Sequence, residues 1–182
     1  MRSAFKILLI LLLSSCTNKQ ENISNITPYF DLKAYFEKEG IRLQKQGPFL
    51  TKTVSQNGEC EKKEIKITDW KSEFGYFTAS DINKPAWRDS YRVIKNGNQI
   101  LYLSKDDELR TKKIEITTSK PQGGIKQITI LNKTYNILYT STEELNYYPD
   151  SLYTINKQQK VLLNNLNTYQ ITSEFTKAKS NK

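Results

Sequence analysis

The chain has 182 residues and a formal net charge of +9, from 28 lysines and arginines against 19 acidic residues. It has no histidine, which excludes serine–histidine and cysteine–histidine nucleophile pairs and nearly all zinc sites other than all-cysteine ones. The length suits one domain with a substantial core.

The first fifteen residues have the pattern of a secretory signal. Arg2 and Lys6 give a basic start, and the apolar run Ile7–Leu13 follows without interruption. A membrane-spanning helix needs about 20 apolar residues, so this run is too short to span a bilayer. A charged start, a short apolar segment and small residues before a cleavage point are typical of an exported protein.

The end of this segment resembles the lipobox of bacterial lipoproteins. Leu13–Cys16 has the order leucine–small–small–cysteine. The resemblance implies cleavage before Cys16, a diacylglyceryl group on its thiol, and fatty acids such as palmitate that anchor the chain in a lipid bilayer. An ordinary cleaved signal, with Cys16 as a bystander, is the alternative. The prediction is a signal peptide at residues 1–15 and a lipidated cysteine with a polar tether at residues 16–27.

The residue after Cys16 bears on which membrane holds the chain. Thr17 differs from the aspartate that retains lipoproteins at the inner membrane in enteric bacteria. By that analogy the outer membrane is favoured, and the protein could lie on its periplasmic face or on the cell surface. Export argues against nucleic acid as a partner and leaves envelope proteins or acidic glycans for the basic surface. Cys60 is interpreted as a small apolar residue.

The first predicted helix lies between two prolines. Thr27 is a suitable cap and Pro28 a suitable first residue, and Gly47-Pro48 ends the helix. Gly40 falls on the apolar face, which indicates close approach to a packed partner. That face consists of Tyr29, Leu32, Phe36 and Leu43.

A hairpin and a second helix are predicted next. Phe49–Gln56 and Glu59–Ile67 flank Asn57-Gly58, a pair that tolerates the positive φ angles of a tight turn. Thr68 or Asp69 caps the second helix, which is predicted to end near Asn83. Its aromatic stripe is spaced i, i+4, i+7 and is interpreted as core: Trp70, Phe74 and Phe77.

Alternating apolar residues predict strands for the rest of the chain. Ser90–Lys95 and Asn98–Ser104 flank Asn96-Gly97, which sets Val93 opposite Ile100. Later segments continue the alternation, with turn signals about every 10 residues. The predicted fold class is α+β, with two helices packed on a curved, half-barrel-like antiparallel meander. Residues 28–175 would form a single globular domain, and residues 176–182 a disordered tail.

Two segments resemble a known group of proteins. Asp81–Trp87 looks like a run in small uncharacterised lipoproteins of Bacteroidota-type bacteria, and so does Leu138–Ser141 before Tyr148–Tyr153. The resemblance covers most of residues 29–175. It implies an exported, lipid-anchored protein and brings no activity with it.

Few residues are candidates for binding or modification. Tyr147 and Tyr148 are candidate ligand contacts, because adjacent strand residues point to opposite faces and one ring could stack on a sugar. Asp150–Leu152 resembles a short O-glycosylation acceptor, which makes Ser151 a candidate modification site. The prediction includes no catalytic residue, no cofactor and no metal site.

Three functions are compatible with these observations. The first is a non-enzymatic lipoprotein that binds a partner or supports an envelope assembly, and the second is a carrier of an apolar ligand such as lipid. The third is a histidine-free hydrolase with paired carboxylates. Asp106–Glu108 is interpreted as a solvated turn rather than a calcium site, and Glu143-Glu144 as the start of a turn or a short helix. An apolar cavity of several hundred Å³ would favour the carrier, and a filled core the binding module.

The predicted lipid anchor should be lost when Cys16 is replaced. Cys16→Ser removes the thiol that takes the diacylglyceryl group, so the variant should lack the added lipid mass. Membrane fractionation and mass spectrometry of the mature protein check this. Wild-type protein outside the membrane fraction, or a mature chain that begins elsewhere than at Cys16, would contradict the lipoprotein interpretation.

Overall fold

The computed structural model describes residues 27–121, 123–162 and 166–176. The signal peptide predicted at 1–15, the lipidation of Cys16 and nearly all of the tether lie outside the described residues, as does the predicted tail after Thr176. Within the described ranges, no helix combines the length and the apolar character that crossing a bilayer requires.

Nine strands, one long α-helix, two α-helices of four residues each and a 3-10 turn at Pro85–Trp87 make up the regular structure of the described residues. The helices are α1 (Leu32–Gln46), α2 (Trp70–Glu73) and α3 (Gly75–Thr78). The strands are β1 (Phe49–Gln56), β2 (Glu59–Lys66), β3 (Tyr91–Asn96), β4 (Gln99–Ser104), β5 (Thr111–Thr118), β6 (Ile125–Tyr135), β7 (Tyr139–Tyr148), β8 (Leu152–Val161) and β9 (Leu166–Phe175). They form one antiparallel sheet in the order β2-β1-β9-β8-β7-β6-β5-β4-β3, so the early hairpin joins beside the last strand.

The predicted α+β class is wrong. Strands account for 53% of the described residues and helices for 18%, so the fold is mostly β, a nine-stranded antiparallel sheet with a few small helices. The second predicted helix is α2 followed by α3, four residues each, and it ends at Thr78 rather than near Asn83. An aromatic stripe at i, i+4, i+7 fits two successive short turns as well as one helix, so the pattern overstated the helical part.

Helix α1 begins later than predicted because another residue caps it. The Asp31 carboxylate accepts a hydrogen bond from the Ala34 N–H at 2.8 Å, so the helix starts at Leu32 and not at Pro28. Its end is as predicted, since Gly47 has φ 58°, a left-handed conformation that costs glycine little.

The two Asn-Gly hairpins differ in how they turn. β1 and β2 turn at Asn57-Gly58 as predicted, and both residues have positive φ, 51° and 95°. In the second hairpin the glycine takes the first central position, so the turn is Gly97-Asn98. Val93 therefore pairs with Tyr102 instead of Ile100. The shift is two residues, so each side chain keeps its predicted face.

The helices fill the inner face of the sheet with aromatic rings. Phe36 of α1 packs on rings from α2–α3 and from β7, with centroid distances of 4.7 to 5.2 Å. We call this set the aromatic cluster: Phe36, Phe74, Phe77 and Tyr147. All four side chains are buried, so the interior holds packed rings at its centre.

The aromatic cluster should dominate stability. Phe74→Ala removes a buried ring from the centre of the packing and should cost about 3–5 kcal/mol of unfolding free energy. Tyr76→Ala is the matched control, because that ring lies two residues away and is exposed. Thermal or denaturant unfolding of the two variants checks this, and a Phe74 variant that unfolds like wild type would contradict the packing described above.

Candidate functional site

A groove of about 640 Å³ lies between α1 and the α2–α3 segment, open to solvent. Phe36, Trp70 and Phe74 contribute its apolar floor, and Ile41 lines it from an exposed position on α1. Gly40 permits the close approach, because a Cβ there would lie 3.3 Å from the Trp70 Cβ. Small-molecule sites usually have volumes of about 300–1,000 Å³, so the groove is large enough for such a ligand.

The rim of the groove is charged. Lys33 lies 4.0 Å from Glu37, and the Asp69 carboxylate accepts the Ser72 N–H at 3.0 Å as the cap of α2. Among the residues described, Lys45 and Lys71 are not within ion-pair distance of a carboxylate. The lining has three lysines against two acids, Glu37 and Asp69, and an apolar floor with this small positive surplus at its edge suits an apolar group that carries a negative charge.

Glu39 holds α1 against the sheet. The Tyr147 hydroxyl donates to Glu39, and Arg42 donates to both carboxylate oxygens at 2.6 and 2.8 Å. Arg42 also donates to Asp150 of the β7–β8 turn at 2.8 Å. Burial alone would raise the pKa of Glu39, but the hydrogen bonds from Arg42 and Tyr147 outweigh it and hold the pKa below its usual range.

Glu73 holds α2 in the same way. Lys52 of β1 donates to its carboxylate at 2.6 Å, and the Tyr153 hydroxyl of β8 donates to the same oxygen at 2.5 Å. Burial, and then the charge of Glu73, raises the pKa of Tyr153, so its hydroxyl keeps the proton that it donates. The two walls of the groove, α1 and α2, are therefore each fixed to the sheet by an acid and a buried tyrosine.

Glu143 of β7 is the centre of a third polar cluster. Arg110 donates to its carboxylate, Lys157 lies at 3.2 Å, and the Asn132 side chain donates at 3.4 Å. Asn132 also donates to the Ser80 hydroxyl at 2.9 Å. Burial alone would raise the pKa of Glu143, but the two cations outweigh it and lower the pKa. A general acid needs a pKa near the operating pH, so this carboxylate is suited to holding structure.

The structure separates the residues that the sequence singled out. Tyr147 has 0% exposure in the aromatic cluster, so its ring is not available to a surface ligand. Tyr148 points to the opposite face, half-buried, and its hydroxyl accepts a hydrogen bond from the Gln127 amide at 2.9 Å. Ser151 is exposed in the β7–β8 turn, and its glycosylation stays a prediction.

The acidic pairs and the free thiol have different surroundings. Asp106 accepts the Glu108 N–H at 2.8 Å in an exposed turn, as interpreted. Glu143 and Glu144 lie within β7, in neither a turn nor a helix, which corrects the sequence interpretation. Cys60 is exposed on the edge strand β2, so it does not pack as a small apolar residue.

Sequence reasoning missed the groove. Its two walls come from α1 and α2–α3, whose relative placement is set by tertiary contacts that periodicity does not report. Two signals were present: Gly40 in the middle of the apolar face, and Ile41 beside it on the exposed side. A helix that lines a groove of this kind has a glycine where the two walls approach each other and an exposed apolar residue beside it.

Comparison with known proteins gives little. No family model matches the chain, and no curated protein matches it. Among solved structures, the chain is similar to an S-type phycobiliprotein lyase, CPES, from Guillardia theta, with 15% identity, 80% of this chain and 99% of that chain covered, and a TM-score of 0.28. A likeness this low carries no conclusion about the chain.

The Glu39 cluster predicts acid sensitivity. A carboxylate whose pKa is lowered by folding stabilises the folded state above its unfolded pKa, near 4.5, and this stabilisation disappears as the pH falls through the folded value. Glu39→Gln should cost about 1–3 kcal/mol at pH 7 and flatten the loss of stability below pH 4.5. Unfolding curves from pH 7 to pH 3 check this.

Glu37→Gln is the control for that series, because Glu37 is on the same helix and is exposed. It should leave both the stability at pH 7 and the acid slope unchanged. Equal pH profiles for wild type and Glu39→Gln would show that the cluster does not link protonation to folding.

Proposed function

We propose that the chain is a lipid-anchored, exported binding module, tethered at Cys16 to the outer membrane, that holds the apolar part of an anionic ligand in the groove between α1 and α2–α3. The groove carries the proposal, because it joins an apolar floor of ligand size to Lys45 and Lys71 at the rim, neither of which lies within ion-pair distance of a carboxylate in the described part of the chain. The lipobox and the resemblance to Bacteroidota lipoproteins support the anchor and the address.

A ligand on the surface is better supported than one enclosed by the sheet. The aromatic cluster occupies the centre of the inner face, where an internal carrier would hold its ligand. Carriage of a lipid is the second candidate function, and it is favoured by the same groove, whose volume and charge suit a single acyl chain with an acidic end.

The contacts of the buried carboxylates support a role without catalysis. Glu39 and Glu143 each bind a cation that lowers the pKa, so both are ionised at neutral pH. Glu73 is paired with Lys52 at 2.6 Å. These acids hold helices, loops and strands together. This is the role of structural ion pairs, and it differs from the role of the two catalytic carboxyl groups of a glycosidase.

Titration with a fluorescent fatty acid tests the groove. Ile41→Ser removes apolar contact and should weaken binding about fivefold, since about 1 kcal/mol of burial is lost. Lys45→Glu with Lys71→Glu replaces both of these rim lysines and should weaken binding further. Lys38→Glu is the control, because Lys38 is exposed on α1 and does not line the groove.

The comparison between variants decides the outcome. The same affinity for all the lysine variants, including the control, would show that overall charge and not the groove attracts the probe. Binding that survives every groove substitution would overturn the proposal.

A further inference from the structure

The turn after β6, Leu162 after β8 and the start of β9 expose large apolar side chains at one end of the sheet. Ile137 is 86% exposed and Leu162 is 70% exposed, although both are aliphatic. Soluble monomers rarely expose contiguous apolar patches without a binding role. We call this surface the apolar tip, and it consists of Tyr135, Ile137, Leu138, Leu162 and Leu166.

Hydrogen bonds hold the apolar tip in this exposed form. The Leu162 N–H donates to the Leu138 carbonyl at 3.0 Å, which joins the end of β8 to the β6–β7 turn. The Asn136 side chain accepts the N–H groups of Leu138 and Tyr139, each at 2.9 Å. Ile137 is therefore presented to solvent by a fixed turn and not by a frayed one.

Positive charge lies directly behind the tip. Strand pairing sets Tyr135, Thr140, Lys160 and Leu166 in one row across four strands, and Lys133 lies one row further back on the same face. The sequence has no acidic residue between Leu131 and Thr142, or between Ser151 and Ser173.

Acids lie on both sides of the tip. On the β9 side, Glu59 lies at the β1–β2 turn, whose Asn57 N–H donates to the Thr168 carbonyl. On the β5 side, Asp107 and Glu108 line a groove that also contains Lys133, but Arg92 and Lys112 line the same groove. The surroundings of the tip therefore keep a positive surplus, which would attract a negatively charged surface.

We infer that the apolar tip inserts into the headgroup region of an anionic lipid bilayer, with Lys133 and Lys160 on the lipid phosphates. Tyrosine and leucine side chains beside lysines are the combination that lies stably at a membrane interface. Lysine stems can lie along the apolar layer while their ammonium groups reach the phosphates. This contact is separate from Cys16 and from the groove between the helices.

Depth-dependent quenching of tryptophan fluorescence in the full chain tests the inference. Tyr135→Trp places a probe in the apolar tip, and Phe49→Trp places one in an exposed position at the opposite end of the sheet. The wild type supplies the background of Trp70 and Trp87. With vesicles of phosphatidylcholine and phosphatidylglycerol that contain brominated acyl chains, the added emission of Tyr135→Trp should shift to the blue and be quenched, and that of Phe49→Trp should not.

Replacing the two lysines tests the inference independently. Lys133→Gln and Lys160→Gln, in the Tyr135→Trp background, should each lower the ratio of docked to undocked protein about fivefold. Pure phosphatidylcholine vesicles should give weaker quenching than anionic ones. Equal quenching at positions 135 and 49, or none at 135, would overturn the inference. So would a blue shift that appears without vesicles and grows with protein concentration, because it would indicate a contact between copies of the chain.

Discussion

The structure depends on one packing arrangement, the insertion of the aromatic cluster between the helices and the inner face of the sheet. Phe36 comes from α1, Phe74 and Phe77 from α2–α3, and Tyr147 from β7. The sheet of nine strands has an apolar inner face that must be shielded from water, and these buried rings cover its centre. The packed rings leave no room for a ligand at that place, so the proposed ligand binds outside the core.

Two polar contacts turn this packing into a defined geometry. Apolar rings resist separation, but they do not by themselves fix the rotation of a helix on a sheet. Glu39 with Tyr147 sets α1, and Glu73 with Tyr153 sets α2, each through a hydroxyl that also belongs to the core. The distance between the helices, and with it the width of the groove, follows from these two fixed positions.

Local chemistry made the turns and the helix ends predictable. Asn57-Gly58 and Gly47 have the positive φ angles that their residue types permit, and Asp69 caps α2 as its side chain allows. The predicted fold class was wrong because the spacing of the aromatic residues does not show how far a helix continues beyond them. The predicted second helix is only two helices of four residues each. The apolar tip does not follow from the sequence pattern, because Ile137 and Tyr139 are spaced as in a strand, whereas Ile137 lies in the turn between β6 and β7.

The most direct test of the account asks where an apolar anion contacts the protein. Nuclear Overhauser effects between a ¹³C-labelled fatty acid and the methyl groups of the chain would locate it. The account predicts contacts to Ile41 in the groove and none to Ile128 or Ile130, which are fully buried on the inner face of the sheet. Contacts to Ile128 or Ile130 would show that the core opens to take the ligand, and would contradict a filled interior with an external groove.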